Sequence, residues 1–131
     1  MALFHSEAIV LRSINLSEAD KLITFITKRY GKIKCVAKAA RKIKSRFGAS
    51  IEPMSHTQLI YFGKENQTLY RLNHSAIIHS FHNIRENIQK IYTGIYFTEL
   101  ADTLVPEMHP DPAVFKLLLD GLKTLEVVDS L

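Results

Sequence analysis

Ten of the seventeen lysines and arginines in this chain lie between residues 21 and 51: Lys21, Lys28, Arg29, Lys32, Lys34, Lys38, Arg41, Lys42, Lys44 and Arg46. The same window contains no Asp or Glu, the bordering carboxylates being Asp20 and Glu52. Cations gathered in this way neutralise a polyanion, and the Ile, Val, Phe and Tyr residues between them indicate a segment that folds. A solvated face normally mixes signs, so a stretch this long without a carboxylate favours a binding surface over ordinary solvation. Aromatic rings would add base stacking to phosphate neutralisation. The candidates are Tyr30, Phe47, Tyr61, Phe62 and Tyr70. Strand aromatics usually point into a core, so Phe47, beside Arg46 in a loop, is the one expected to stack, its other reading being a plug at one end of a barrel.

Other chemistries find little support. His79 and His82 have a spacing that could place two imidazoles on zinc, but no third thiolate or carboxylate stands at matching spacing. Cys35, the single cysteine, alternates with Ile33 and Ala37 and reads as a buried small hydrophobe without a base to activate it. Glycines 31, 48, 63, 94 and 121 are scattered, so no phosphate-cradling loop is formed. Acid pairs such as Glu18 with Asp20, or Glu99 with Asp102, are explained by loop solubility and helical spacing. The expectation is a protein that is not an enzyme and that has no catalytic residue, metal or cofactor.

The elements that must position the cations are strands. Phe4 to Ile14 carries the apolar run Glu7-Ala8-Ile9-Val10-Leu11-Arg12, suited to a strand paired on both edges, and Leu22 to Thr27 is a second β-branched run. Tyr30-Gly31-Lys32 gives the turn into a third strand, with Ile33, Cys35 and Ala37 on one face and Lys32, Lys34 and Lys38 on the other. Residues 39 to 50 lose the alternation and read as a long basic loop with room for a helical turn. Met54 to Phe62 and Thr68 to Ile78 complete five strands, joined by a short connection through Gly63-Lys64-Glu65-Asn66-Gln67. The fold class is mainly β with α: a five-stranded barrel of the oligonucleotide-binding type followed by a short helical segment. The division is 1–80 for the barrel and 81–131 for the helical segment, which reads as the start of a truncated helical domain.

In that segment one helix is expected from His82 to Pro106, with Ile84, Ile88, Ile91 and Ile95 on one face before the apolar positions shift to Tyr96, Phe97, Leu100 and Leu104. Asp111 reads as an N-cap with Pro112 at the first helical position of a second helix through Leu125. Its apolar stripe, from Val114 to Leu125, exceeds what one neighbouring helix can cover, so either the chain self-associates through the 112–128 helix or the helices of a longer domain cover it.

Charge divides along the chain, residues 1 to 81 carrying thirteen basic and five acidic side chains and residues 82 to 131 four basic and eight acidic ones. A length of 131 residues and 47% hydrophobic composition allow one small domain plus an appendage with a real core. The single cysteine fits a reducing compartment, and neither a cleavage site near the start nor an apolar run of about 20 residues is present. A soluble, cytoplasmic, nucleoid-associated protein without membrane contact is expected.

The residues also carry a family resemblance. Glu7-Ala8-Ile9-Val10-Leu11-Arg12, Glu18-Ala19-Asp20-Lys21-Leu22, Tyr30-Gly31-Lys32 and the stretch from Ala37 to Phe47 that ends Lys44-Ser45-Arg46-Phe47 resemble the N-terminal part of the bacterial recombination mediator RecO family. The resemblance continues through Glu99-Leu100 and Pro110-Asp111-Pro112. It implies an oligonucleotide-binding barrel and a helical domain acting in recombinational DNA repair. Such proteins bind single- and double-stranded DNA, anneal complementary strands without ATP, and load recombinase together with RecR on strands coated by single-strand-binding protein. DNA-binding positions carried over are Lys32, Lys34, Lys38, Arg41, Lys42, Lys44 and Arg46, to which the loop reading adds Phe47. Ala39 stands where such proteins usually have glycine, and Ile43 where many have proline. Family members usually continue through more helices, and the surfaces that dock single-strand-binding protein lie largely in those. Two alternatives from other classes are an RNA-binding barrel and a protein-interaction module without nucleic-acid activity.

Overall fold

A computed structural model describes residues 1–42, 44–65 and 67–129. Five strands, β1 (Ala2–Asn15), β2 (Lys21–Thr27), β3 (Gly31–Ala37), β4 (His56–Gly63) and β5 (Tyr70–His79), are followed by α1 (His82–Arg85), α2 (Ile88–Leu104) and α3 (Pro112–Val127). The strands close into a barrel in the order β1-β2-β3-β5-β4. β1 is long enough to serve two neighbours: Ala2 to Ile9 pairs with β4, and Ala8 to Asn15 pairs with β2 across an irregularity between Val10 and Arg12. All pairings are antiparallel except β3 with β5, where Cys35 meets Tyr70 and Val36 meets Arg71 in parallel. This is the five-stranded barrel of the oligonucleotide-binding fold.

Alternation along the strands sends one set of side chains into the barrel and the other outward. Ala8, Val10, Ile23, Phe25, Ile33, Cys35, Leu59, Tyr61 and Leu72 fill the interior. Phe4, Tyr30, Tyr61 and Tyr70 meet there in one aromatic group, Phe4 stacking on Tyr61 at 5.1 Å and meeting Tyr30 and Tyr70 edge-on. Burial pushes the Cys35 thiol well above its ordinary value, so the thiol stays protonated and unreactive.

The outward set of β1 and β2 makes a second core with the helices. Ile9, Leu11 and Ile26 pack with Met54, Phe81, Ile84, Phe115, Leu118, Leu122 and Leu125. Much of the wide stripe of α3 is thus covered by the barrel wall together with α1 and α2, neighbours within the chain that the expectation of self-association did not count. Val114 and Leu119 pack against the same cluster, while Leu117 stays 72% exposed. Asp111 caps α3 as expected, its Oδ1 accepting from the Val114 N–H at 3.2 Å, with Pro112 in the first turn.

The single helix expected after His82 is two. Asn87 interrupts it, with extended backbone and a side chain that accepts from the Lys90 N–H, and α2 starts afresh at Ile88. The inward face of α2 consists of Lys90, Gly94, Thr98 and Ala101 rather than the large apolar residues. A Cβ on Gly94 would lie 2.3 Å from the Met54 sulfur, so small residues permit the close approach of this helix. Ile88, Tyr92, Tyr96, Leu100 and Leu104 face outward instead. Lys90 is buried because its ammonium reaches the end of α3, donating to the carbonyls of Val128 at 2.6 Å and Glu126 at 3.2 Å.

His56 stands where β1, β4 and α3 meet, 4% exposed, with Nε2 2.9 Å from Glu7 Oε1 and its ring against Phe115. Burial holds its imidazole below the ordinary value, outweighing the contact with Glu7, and Lys123 and His79 add to the depression. An unfolded histidine therefore takes up its proton at higher pH than the folded one. Stability is full above the ordinary histidine value of 6.5 and declines as pH falls below it towards the folded pKa. Unfolding free energies from urea titrations between neutral and mildly acidic pH should fall with a slope of at most about 1.4 kcal/mol per pH unit from this group. His56→Gln should flatten that decline; an unchanged profile would place its origin elsewhere.

Candidate nucleic-acid interface

The ten cations of the acid-free window do not form one surface. The β2–β3 turn orients Lys28 towards Glu7 at 3.6 Å, and Arg29 donates to the His5 carbonyl. On β3, Lys32 and Lys34 point outward as the alternation requires, but carboxylates from the helical segment meet them there. Lys32 Nζ lies 3.1 Å from Asp102 Oδ1 and 2.7 Å from the Asp102 carbonyl, with a side chain only 14% exposed. Lys34 Nζ is 3.3 Å from Glu107. Arg12 approaches the other oxygen of Asp102 at 3.9 Å. A window free of acid in sequence is thus neutralised in space along β3, where Lys32 and Lys34 keep the face that the alternation gives them but meet carboxylates there.

Lys38 lies past the end of β3, in the turn that opens the basic loop. Asp20 holds this turn: its Oδ1 accepts from the Ala39 N–H at 2.8 Å, and Oδ2 meets Lys38 at 3.4 Å. The Ala39 hydrogen bond, with help from Lys38, keeps the Asp20 carboxyl below its ordinary value. Ala39 itself has φ of 60°, the left-handed region that glycine enters at least cost, in keeping with the glycine expected at this position. The Arg41 N–H donates to the Ala19 carbonyl at 2.9 Å, and its guanidinium donates to the Ser17 carbonyl, so the loop leans on the β1–β2 connection.

Beyond this anchor Arg41, Lys42, Lys44 and Arg46 are exposed, and none makes an ion pair among the described residues. Ile43 lies outside the described residues. Phe47 is 4% exposed and packs in the barrel core, which corrects its assignment as the stacking residue of the loop. From this seat it supports the Arg46 guanidinium, 4.8 Å from its ring centroid. Tyr61 and Tyr70 are likewise buried, and Tyr30 packs against the same core. Phe62 is the candidate ring that faces outward, half-buried, with the Arg71 guanidinium 5.7 Å from its centroid. Arg71 escaped the sequence reading because it lies outside the charged window; its place opposite Phe62 follows from the β4–β5 register.

His79 and His82 each take a glutamate, Glu126 at 2.6 Å and Glu86 at 2.9 Å. Among the described residues no three His, Cys, Asp or Glu side chains are grouped so as to hold a metal ion, and no helix is long and apolar enough to cross a membrane.

The profile described as "Recombination protein O N terminal" matches residues 1–81, and that described as "Recombination protein O C terminal" matches residues 85–130. The chain is similar to curated proteins named DNA repair protein RecO. It is 37% identical to that of Salinibacter ruber over 129 residues, covering 98% of this chain and 50% of the relative. For Thermodesulfovibrio yellowstonii the identity is 41% over 129 residues, with 94% and 49% covered, and for Koribacter versatilis 40% over 120 residues, with 92% and 49% covered. The chain thus spans about half the length of these relatives. With both profiles falling on consecutive stretches that span the barrel and its helices, the chain belongs to the recombination protein O family.

Proposed function

We propose that this chain handles DNA strands in recombinational repair, binding single- and double-stranded DNA through the loop that follows β3 and bringing complementary strands together without a nucleotide cofactor. The observation that carries the reading is the group of exposed cations Arg41, Lys42, Lys44 and Arg46, free of ion pairs among the described residues and adjoining Lys38 on a closed barrel. Phosphate neutralisation supplies most of the affinity of such a surface, and cations already committed to carboxylates contribute less to it. The site is therefore Lys38, Arg41, Lys42, Lys44 and Arg46, with Lys32 and Lys34 held by Asp102 and Glu107 as inner supports. Recombinase loading with RecR, at strands coated by single-strand-binding protein, extends the same reading through the family.

The purified chain should retain single-stranded oligonucleotides at low salt, release them as salt rises, and accelerate annealing of complementary strands without ATP. Retention of RNA in preference to DNA of the same sequence would move the reading to RNA handling. Failure both to retain strands and to speed annealing would remove it.

A further inference from the structure

One outward row of the barrel remains uncovered by the helices. Cross-strand register places Leu3 beside Phe62, Phe62 beside Arg71, Arg71 beside Val36, Val36 beside Leu22, and Leu22 beside Ile14. Their inward neighbours in the chain, among them Phe4, Tyr61, Tyr70, Leu72, Cys35 and Ile23, pack the barrel interior, so these six face out. Leu3 is 56% and Ile14 47% exposed. The next outward row, His5 beside Ile60 beside His74, adds no carboxylate. The barrel thus carries an apolar belt with an arginine at its middle.

Resting on the nucleic-acid reading above, we propose that this belt is a platform for unpaired bases of a single strand, with Phe62 as the stacking ring and Arg71 as the adjoining phosphate or base-face contact. Three observations favour a nucleic-acid strand over an apolar polypeptide. The belt's only charged member is a guanidinium already poised 5.7 Å from an aromatic centroid, the pairing that sequence-tolerant base stacking uses. Val36, one strand spacing of about 4.8 Å from Arg71, leads within two residues into Lys38 and the basic loop, so a strand held by its phosphates at the loop can lay successive bases along the row. The outward face of β2 and β3 nearer the helices is closed, with Ile26 in the second core and Lys32 paired to Asp102. Bases are thereby directed towards β5 and β4.

The test compares a single-stranded DNA oligonucleotide with one of equal length and charge made of abasic sugars. The intact chain should bind the normal strand about 10-fold or more tightly than the abasic one. Phe62→Ala and Phe62→Leu, the latter preserving the apolar cover, should both erase that preference while leaving the salt slope unchanged. Arg71→Ala should lower the slope by about 0.7. Variants that keep the preference would overturn the proposal, as would an equal loss of both strands accompanied by a lower thermal midpoint, the mark of a structural residue. Loss of self-association with unchanged strand binding would assign the belt to a second copy of the chain instead. If the intact chain binds both strands equally, the platform fails and the basic loop stands; if it binds neither, both fail.

Discussion

Changing Lys38, Arg41, Lys42, Lys44 and Arg46 together to alanine should lower affinity for single-stranded DNA by about a thousand-fold at about 0.1 M salt, and reduce the salt slope by about 3.5. The magnitude follows from counterion release, each phosphate contact contributing about 0.7 to the slope on a single strand. All five side chains are on the surface, and Lys38 alone among them makes a carboxylate contact, at 3.4 Å with a half-exposed side chain. The protein should therefore fold as before, which circular dichroism and the urea midpoint would verify. The paired change of Lys32 and Lys34 to alanine should behave in the opposite way. Affinity should change by only a few-fold, whereas stability should drop by about 1 to 3 kcal/mol as Asp102 loses its nearest buried partner. Should the β3 pair reduce DNA affinity as strongly as the loop, the ion pairs to Asp102 and Glu107 open on binding and the interface includes the strand face.

That contrast was beyond the reach of the sequence for a physical reason. A composition window measures charge among neighbours along the chain, and Asp102 stands 70 residues from Lys32. Only the docking of the last turn of α2 against β3 brings them together. The alternation of Ile33, Cys35 and Ala37 against Lys32 and Lys34 was legible because a strand's period is short and local, and the capped start of α3 at Asp111-Pro112 was legible for the same reason. The break at Asn87 was hidden by isoleucines at 84, 88, 91 and 95, whose spacing imitates one continuous helix. Large apolar residues were also expected to face in along α2, but a helix that comes this close to its neighbours turns Gly94, Thr98 and Ala101 to them and leaves Tyr92 and Tyr96 outside. Phe47 shows the limit of local context, since a ring next to an arginine in a loop reads as a surface feature until the barrel end that receives it is known.

Gly31→Ala should be among the most damaging single substitutions, costing about 3 kcal/mol or more and lowering the thermal midpoint by about 10 °C. Two costs combine at this position. Gly31 has φ of 80°, where an L-residue pays about 1 to 2 kcal/mol for the approach of its Cβ to the backbone. The added Cβ would also lie 2.4 Å from the His109 carbonyl oxygen and 2.8 Å from the His109 nitrogen, and backbone cannot swing aside as a side-chain tip can. The connection between α2 and α3 would have to lift from β3, breaking the Met108 N–H to Lys32 carbonyl bond of 3.0 Å and drawing Glu107 away from Lys34. Gly48→Ala separates the two costs. Gly48 has φ of 54° but open space where its Cβ would point, so it should lose only the conformational part, about 1 to 2 kcal/mol. Equal losses in the two variants would mean that the connection yields without penalty, and that the Glu107 contact it brings to Lys34 is loosely held. A larger loss at Gly31 would establish rigid docking of the helical segment on β3, the condition under which Lys32 and Lys34 stay withdrawn from the proposed DNA surface.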